Sequence, residues 1–437
     1  ERGWRLACMC RVNGPVALQV GAWQAEILDD RRSLDFVPGD GYGIAIDLGT
    51  TTLVGQLLDL ATGAVLAVST ALNPQTAYGS DVMSRVQLAL TGEGSTRLVS
   101  SIRERLGELV TDLVRTARIE PARLAGVVLV GNTVMHHLFG GIDLTPLSRY
   151  PFQPDHLESI ELRSGLLGWS LPETVRVGFL SCLGGFVGSD LLAGILATGL
   201  YRRERAGVLV DLGTNGEIVV GDRSGLLCAS TAAGPAFEGG EISAGMRAAT
   251  GAIDAVRIDD GRLGCHVLGD VEPRGICGSG LVDAVAAGLQ LKSIEPSGRL
   301  AGGQSVMPLT PSVQLTQADI RELQLSKAAI ASGIEILSRR LGLQPSSIDR
   351  AYLAGAFGNY VDVNSARSIG LLPFPVAAIE PAGNTALAGA KLALLAGERL
   401  ESIAREIRER TEHLSLAAEA DFHQIFVEQM GFPHVAS

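Results

Sequence analysis

The chain has 437 residues, of which 46% are hydrophobic, and a formal net charge of −11. This length and hydrophobic content exclude a disordered chain and favour two or three packed lobes. The acidic balance argues against a nucleic-acid-binding protein, which would carry a basic face.

The sequence shows neither a membrane span nor an export signal. Its most apolar stretch, 191–200, is far shorter than the roughly 20 residues that a spanning helix needs. The first ten residues lack the basic and apolar regions of a signal peptide. Six scattered cysteines in a chain of this length are typical of reduced thiols rather than of a disulfide framework. These features predict a cytoplasmic protein that contacts no membrane.

The hydrophobic pattern after residue 43 is that of an α/β protein, whereas residues 1–40 contain short apolar runs and turn residues. The predicted strands are 44–46, 53–60, 127–130, 208–210, 217–220 and 350–354, and the predicted helices are 81–90, 98–117, 190–200, 326–340, 384–396 and 401–412. Ser80 is the predicted cap of the first helix, and Asn132 or Thr133 caps the helix after strand 127–130. Helix 190–200 is rich in Gly and Ala, which suits tight packing against a neighbour.

An internal repeat organises the chain. Residues 43–56 align without a gap on residues 207–220, and both segments read apolar strand, Asp-Leu-Gly-Thr, second strand. Two such units predict two lobes related by an internal pseudo-twofold axis.

The two Asp-Leu-Gly-Thr loops have the chemistry of a phosphate cradle. A Gly turn after a strand lets successive N–H groups point at one spot, where they bind phosphate oxygens. Asp47 and Asp211 can hold Mg²⁺ through its water molecules or order an attacking water. The residues predicted to bind nucleotide here are Gly49, Thr50, Thr51 and Thr52 in the first loop and Gly213, Thr214, Asn215 and Gly216 in the second. The alternative is a pair of ordinary hairpins with Asp turn caps.

The order of these motifs resembles the superfamily of acetate and sugar kinases, heat-shock chaperone ATPases and actin. The resemblance implies a two-lobed actin-like α/β fold of duplicated ribonuclease-H-like lobes, with ATP in the cleft between them. It places Asp190, which begins the first connecting helix, where the hydrolytic water or the metal is ordered. Residues 383–390 match the second connecting helix. As an alternative, Asp190 is only a charge favoured by a helix N-terminus.

The resemblance also implies an adenosine site in the second half of the chain. Its residues are Lys327, expected to pack beside the base, and the strand exit Gly355, Ala356, Phe357, Gly358 and Asn359. The alternatives are a solvated helix residue for Lys327 and a plain turn for the strand exit.

Several further strings resemble a narrower group, the reductive activators of corrinoid proteins, in the expected order over residues 41–437. They are Asn73-Pro74-Gln75, the run 78–85 that ends in Arg85, Gly131-Asn132-Thr133-Val134-Met135-His136-His137, Gly234-Pro235-Ala236-Phe237-Glu238-Gly239, the run 276–283 and the run 353–360. Glu238 is expected at the ribose or the metal. Arg85 is expected either to reach phosphates or an acidic patch of a partner, or to pair with Asp81. The adjacent His136 and His137 do not share a helix face and so do not predict a joint metal site.

The resemblance implies a plant-type [2Fe–2S] domain at the amino end, of which Cys8 would be the last ligand. One thiolate cannot hold a cluster that needs four, so no cluster is expected in this chain. The predicted domains are a ferredoxin-type end (1–12), a linker (13–40), a first ATPase lobe (41–200) and a second (201–437). Cys182, Cys228, Cys265 and Cys277 have no ligand-like spacing and are expected to be inert.

The implied function is an ATPase coupled to electron transfer, which returns a corrinoid methyltransferase protein from Co(II) to Co(I). ATP, Mg²⁺ and the corrinoid protein are the expected partners, and a homodimer is compatible with the resemblance. Rival functions are a small-molecule kinase on the same fold, a chaperone-like module, and an activator of radical dehydratases with a bridging cluster. The short region after residue 384 disfavours the chaperone, and the cysteine positions disfavour the dehydratase activator.

Overall fold

The computed structural model describes residues 38–79, 81–213 and 215–433, with the backbone but not the side chain of Ala356. Cys8, Ser80 and Thr214 therefore lie outside the described residues, as do the predicted ferredoxin end and most of the predicted linker. No helix of the described part is long and apolar enough to cross a membrane.

The first lobe is a mixed sheet with helices packed against it. Its strands are β1 (Tyr42–Leu48), β2 (Thr52–Asp59), β3 (Val65–Leu72), β4 (Leu124–Val130), β5 (Ile160–Arg163) and β6 (Arg176–Phe179), and its helices are α1 (Val82–Ala89), α2 (Gly92–Ala117), α3 (Thr133–Gly140) and α4 (Ser164–Leu167). Among the described strands the spatial order is β3-β2-β1-β4-β6-β5. An antiparallel β1-β2-β3 meander is thus extended by β4, which runs parallel to β1.

The second lobe repeats this plan and adds elements to it. Its strands are β7 (Gly207–Leu212), β8 (Gly216–Asp222), β9 (Gly225–Thr231), β10 (Ala252–Asp259), β11 (Arg262–Val267), β12 (Gly275–Ile276), β13 (Val306–Pro308), β14 (Gln314–Thr316), β15 (Arg350–Ala354), β16 (Ile379–Gly383) and β17 (Thr411–His413). In the described chain, β16-β15-β7-β8-β9-β17 form the main sheet. The antiparallel meander β7-β8-β9 is extended by the parallel strands β15 and β16. This duplicated topology confirms the predicted actin-like α/β fold.

Two helices connect the lobes. The helices after the first lobe are α5 (Ser189–Thr198), α6 (Gly278–Gln290), α7 (Gln317–Arg340), α8 (Gly355–Gly358), α9 (Val363–Ser368), α10 (Thr385–Ala396), α11 (Leu400–Arg410) and α12 (Phe422–Gln429). Helix α5 follows the first sheet and α10 follows β16 of the second. Each lobe has its own apolar core. A third buried cluster joins β1 and β4 of the first lobe to β7 and β15 of the second through α5 and α10.

Glycine lets the two connecting helices touch, as the small residues of α5 predict. A Cβ added at Gly389 of α10 would lie 2.0 Å from the carbonyl oxygen of Ala193 in α5, so only glycine fits there. A Cβ added at Gly194 would lie 3.1 Å from the hydroxyl oxygen of Thr385, the first residue of α10. The lobes are therefore joined through a tight crossing of α5 and α10.

Most predicted elements are confirmed, with shifted ends. Asp81 caps α1 by accepting a hydrogen bond from the Ser84 backbone N–H. Asn132 caps α3 in the same way. Helix α7 begins nine residues earlier than predicted, at Gln317, because Thr316 and Asp319 form a capping box.

Candidate functional site

The first Asp-Leu-Gly-Thr loop is held from behind by buried polar side chains. The Asn73 amide donates to the carbonyl oxygen of Gly49 at 2.9 Å, and its backbone N–H donates to that of Thr51 at 2.8 Å. Arg85 donates to the carbonyl oxygen of Thr50 at 2.6 Å. In a trans peptide the carbonyl and the next N–H point in opposite directions. The N–H groups of Thr50 and Thr51 therefore point away from the lobe, as a phosphate cradle requires.

Arg85 braces the loop and does not reach out to a ligand. Its side chain is fully buried, and it also donates to the carbonyl oxygen of Gly79 at 3.0 Å. Burial lowers the pKa of its guanidinium to about 10, and the charge of Asp81 opposes this shift. The structure therefore does not support the predicted contact of Arg85 with phosphates. The side chain instead hydrogen-bonds to the carbonyl oxygen of Thr50. Asn132 adds a bond from its amide to the Thr50 hydroxyl at 2.9 Å.

The second loop lies against the predicted adenosine strand. Gly213 closes the turn by donating its N–H to the carbonyl oxygen of Asn215 at 3.1 Å. Strand β15 runs parallel to β7 and aligns Ala354 with Asp211. The next residue, Gly355, has a φ of +85°, and a Cβ there would lie 2.7 Å from the Asp211 carboxylate. The glycine is thus required both by its backbone conformation and by the closeness of Asp211.

Four carboxyl groups meet between the two loops. Burial raises the pKa of Asp47 to about 6 and that of Asp211 to about 7, where the charge of Asp47 adds to the effect. Burial also raises the pKa of Asp190 to about 7, with further contributions from Asp47 and Asp211. The structure therefore brings together the three predicted catalytic aspartates, and their mutual repulsion creates a demand for a cation.

Glu217, the fourth group, was missed by the sequence analysis. It lies directly opposite Asp211 in the β7–β8 pairing, so both side chains share one face of the sheet. Burial and the charges of Asp190 and Asp211 raise the pKa of Glu217 well above its ordinary value. In the first hairpin the residue opposite Asp47 is Val54. The acidic groups are thus unequally divided, one in the first hairpin and two in the second.

Asp47 has a partner from the far end of the chain. The Asn384 amide donates to its carboxylate at 2.8 Å and stabilises the ionised form. The same side chain caps α10, because its oxygen accepts a hydrogen bond from the Leu387 N–H at 2.8 Å.

The predicted adenosine side is lined by stacked aromatic rings. Phe357 stacks on Phe237 with ring centroids 4.5 Å apart. Glu238 follows Phe237 in a one-turn helix, and Gly358 and Asn359 continue the turn after β15. Contact of these residues with a nucleotide stays a prediction.

Lys327 is buried, so its predicted alternative, a solvated helix residue, is wrong. Its ammonium group donates to the carbonyl oxygen of Gly431 at 2.7 Å and lies 5.8 Å from the centre of the Phe432 ring. Burial lowers the pKa of Lys327 to about 8. The side chain therefore anchors the segment after α12, and its predicted place beside the base is not tested by this contact.

The histidine pair is part of the first core. Both rings are buried; His136 bonds to the carbonyl oxygen of Glu158 at 3.0 Å and His137 to that of Thr133 at 2.8 Å. Burial lowers the pKa of His136 to about 3, so the ring is neutral. Both rings therefore belong to the interior of the first lobe.

Mg²⁺ fits this cleft as a water-coordinated ion. Within the described residues, no three Asp, Glu, His or Cys side chains are close enough to hold a metal ion directly. Mg²⁺ commonly keeps several water ligands and takes the rest from phosphates. A cluster of carboxylates facing a phosphate cradle suits that mode of binding. The described cysteines do not suit an iron–sulfur cluster, because Cys182, Cys228 and Cys277 are separately buried.

The duplicated sheets, the two loops and the crossed connecting helices define an ASKHA-type, actin-like ATPase. The chain belongs to the RACo family: residues 42–203 match the RACo middle region, and residues 205–437 match the C-terminal domain of RACo, the ASKHA domain.

Named relatives agree with this assignment. The chain is 36% identical to the corrinoid activation enzyme RamQ of Eubacterium limosum, over 92% of this chain and 73% of the relative. It is 28% identical to a [Co(II) methylated amine-specific corrinoid protein] reductase of Methanosarcina barkeri, over 90% of this chain and 77% of that protein. A solved reductive activator for corrinoid, iron–sulfur protein superimposes with a TM-score of 0.79 at 32% identity, covering 91% of this chain and 67% of that one.

Proposed function

We propose that this protein is an ATP-dependent reductive activator of a corrinoid protein. It restores the active Co(I) state of a methyltransferase corrinoid from the Co(II) state by coupling nucleotide binding or hydrolysis to electron transfer. The observation that carries the proposal is the RACo family match across both lobes, together with a carboxyl-lined cleft between two phosphate-binding loops. The named activities of the relatives support the corrinoid protein as the partner.

Different residues of the cleft bind the phosphates, the metal, the attacking water and the base of ATP. The N–H groups of Thr50 and Thr51 bind phosphate oxygens, and the second loop approaches the phosphates from the other lobe. Asp47 and Asp211 would hold Mg²⁺ through its water molecules, and the ion would neutralise charge on the phosphates. Asp190 orders the attacking water. The base lies between the second loop and the turn at Gly355–Asn359.

Lobe closure is the step through which ATP acts on the partner. Asp47 belongs to the first lobe and Asp211 to the second, so a nucleotide that binds both loops favours the closed arrangement. A ligand shifts a conformational equilibrium only by its differential affinity for the two states. Contact with both loops in the closed state supplies that difference, and the tight α5–α10 crossing transmits it to the rest of the molecule.

The electron comes from a [2Fe–2S] domain, as the resemblance to the reductive activators implies. Cys8 is the one predicted ligand within this chain and lies outside the described residues. The cluster would supply one low-potential electron, and the described lobes supply the nucleotide-driven closure. A homodimer and a cytoplasmic location stay predictions.

The proposal is tested by ATP hydrolysis with and without a purified corrinoid protein in the Co(II) state. We expect slow hydrolysis that the Co(II) protein stimulates. Turnover should fall by at least about 100-fold in Asp47→Asn and Asp211→Asn, since each substitution weakens the hold on the Mg²⁺ that would neutralise the phosphates. Asp112→Asn, an exposed carboxylate on α2, is the matched control. Transfer of phosphate to an added metabolite, with no response to the corrinoid protein, would instead identify a kinase.

A further inference from the structure

Asn384 lies where the second lobe meets the first phosphate loop. It follows β16, the edge strand of the second sheet, and it is the N-cap of α10. Helix α10 then packs across β1 and β4 of the first lobe and against α5. Asn384 is therefore the point at which the chain leaves the second lobe and contacts the first.

The side chain of Asn384 makes two bonds at once. Its oxygen accepts from the Leu387 N–H at 2.8 Å, and its nitrogen donates to the Asp47 carboxylate at 2.8 Å. The first bond fixes the orientation of the amide, because an oxygen engaged by the helix leaves the NH₂ group directed away from it. The helix cap thus aims a donor at Asp47, and α10 cannot rotate or slide without moving that donor.

The Asp47 carboxylate lies among other acidic groups. Asp190 and Asp211 face it from α5 and β7, and Glu217 faces those two from β8. Among these neighbours Asn384 supplies a hydrogen-bond donor, which fixes the orientation of the Asp47 carboxylate.

We propose that Asn384 is a positioning residue for nucleotide hydrolysis: it orients the Asp47 carboxylate, and it ties that orientation to the helix crossing between the lobes. This inference rests on the ATPase function proposed above. Asn384 does not touch the reacting atoms; it acts through Asp47. A shift of α10 relative to α5 on lobe closure therefore moves the Asp47 carboxylate at the first phosphate loop.

Two substitutions separate this role from helix capping. Ser and Asp are about as good as Asn at an N-cap position. Asn384→Ser therefore keeps the cap but lacks the amide that reaches Asp47. Asn384→Asp keeps both the cap and the shape, and it replaces the donor with a further carboxylate. A capping role alone predicts that both variants behave like the wild-type protein.

The test is steady-state ATP hydrolysis by the full chain, with kcat and the KM for ATP determined separately and thermal unfolding measured on the same samples. We expect Tm within about 4 °C of wild type in both variants, since the cap is kept. We expect kcat about 10-fold lower in Asn384→Ser and lower still in Asn384→Asp. The loss should fall on kcat rather than on KM, because Asn384 contacts Asp47 and the helix.

The outcomes distinguish this inference from the proposed function. An active wild type with unchanged kcat in both variants, or a loss confined to KM, would overturn the role of Asn384 while leaving the ATPase intact. A wild type without ATPase activity, with or without the corrinoid protein, would overturn the proposed function itself. Thr91→Ser, a cap substitution at the exposed start of α2, is the control and should leave both kcat and KM unchanged.

Discussion

Replacing Gly355 by Ala should disable the nucleotide site through a single methyl group. A non-glycine residue at a φ of +85° costs about 1–2 kcal/mol. The new Cβ would also lie 2.7 Å both from the Asp211 carboxylate and from the carbonyl oxygen of Leu212, and such overpacking costs a further ~1–3 kcal/mol. We expect the free energy of unfolding to fall by about 2–5 kcal/mol, measured by urea denaturation followed by circular dichroism.

The clash should cost activity as well as stability, because relief of the contact moves the Asp211 carboxylate. A displacement approaching 1 Å in a catalytic group lowers turnover by about 100-fold. Gly342→Ala is the matched control: its φ is +67°, but nothing lies within 4 Å of the added Cβ. The control should lose only about 1–2 kcal/mol to backbone strain and keep wild-type turnover. Equal stability and turnover in the two variants would show that the contact with Asp211 matters for neither property.

Other changes test the charges of the cleft and the side chain that supports its first loop. The pKa of Asp211 is raised in the folded protein, so between about pH 4 and pH 7 the native state keeps a proton that the unfolded chain has lost. The contribution of Asp211 to the free energy of unfolding therefore falls as pH rises through this range. Asp211→Asn should therefore raise the unfolding free energy of the nucleotide-free protein by about 1–3 kcal/mol at pH 8 and by less at pH 5; an equal change at both pH values in urea titrations would contradict this. Arg85→Lys loses the forked donors to Thr50 and Gly79, so the free energy of unfolding should fall by about 2–3 kcal/mol and ATP binding should weaken. Arg97→Lys, at an exposed helix ion pair, is the control and should change neither stability nor the ATP affinity measured by calorimetric titration. Chelation of Mg²⁺ should stop ATP turnover without changing the circular dichroism spectrum, because the described carboxylates do not form a direct structural metal site; unfolding on chelation would contradict this.

The repeat and its loops could be predicted from the sequence because they are local. An apolar strand, an Asp and a Gly turn are contiguous in the chain, and their geometry follows from short-range backbone conformation. The same holds for the strand exit at Gly355. The small residues of α5 likewise predicted a close helix contact, although not its partner.

Glu217 was missed because of a difference of one residue in strand register. The gapless alignment matches it with Leu53, yet the second loop closes one residue sooner and pairs Glu217 with Asp211. Since side chains alternate between faces along a strand, such a shift decides which residue enters the cleft. The alignment of the repeat contains no signal for it.

Contacts between distant segments were also beyond sequence reasoning. Asn384 meets Asp47 across 337 positions, and Lys327 meets Gly431 across 104. Both pairings depend on how α10 and the segment after α12 return to the body of the fold. The amide at the start of α10 could have been suggested by its capping position, but its second bond could not.

ATP-driven return of a corrinoid to Co(I) can be followed in the absorption spectrum of the corrinoid partner. The protein together with a [2Fe–2S] electron-donor domain, its Co(II) partner and a low-potential reductant are mixed without oxygen, and Co(I) is followed with and without ATP and Mg²⁺. We predict accumulation of Co(I) that requires ATP and is lost in Asp47→Asn. Co(I) formation at the same rate without ATP, or in the Asp47→Asn protein, would show that ATP does not drive the reduction.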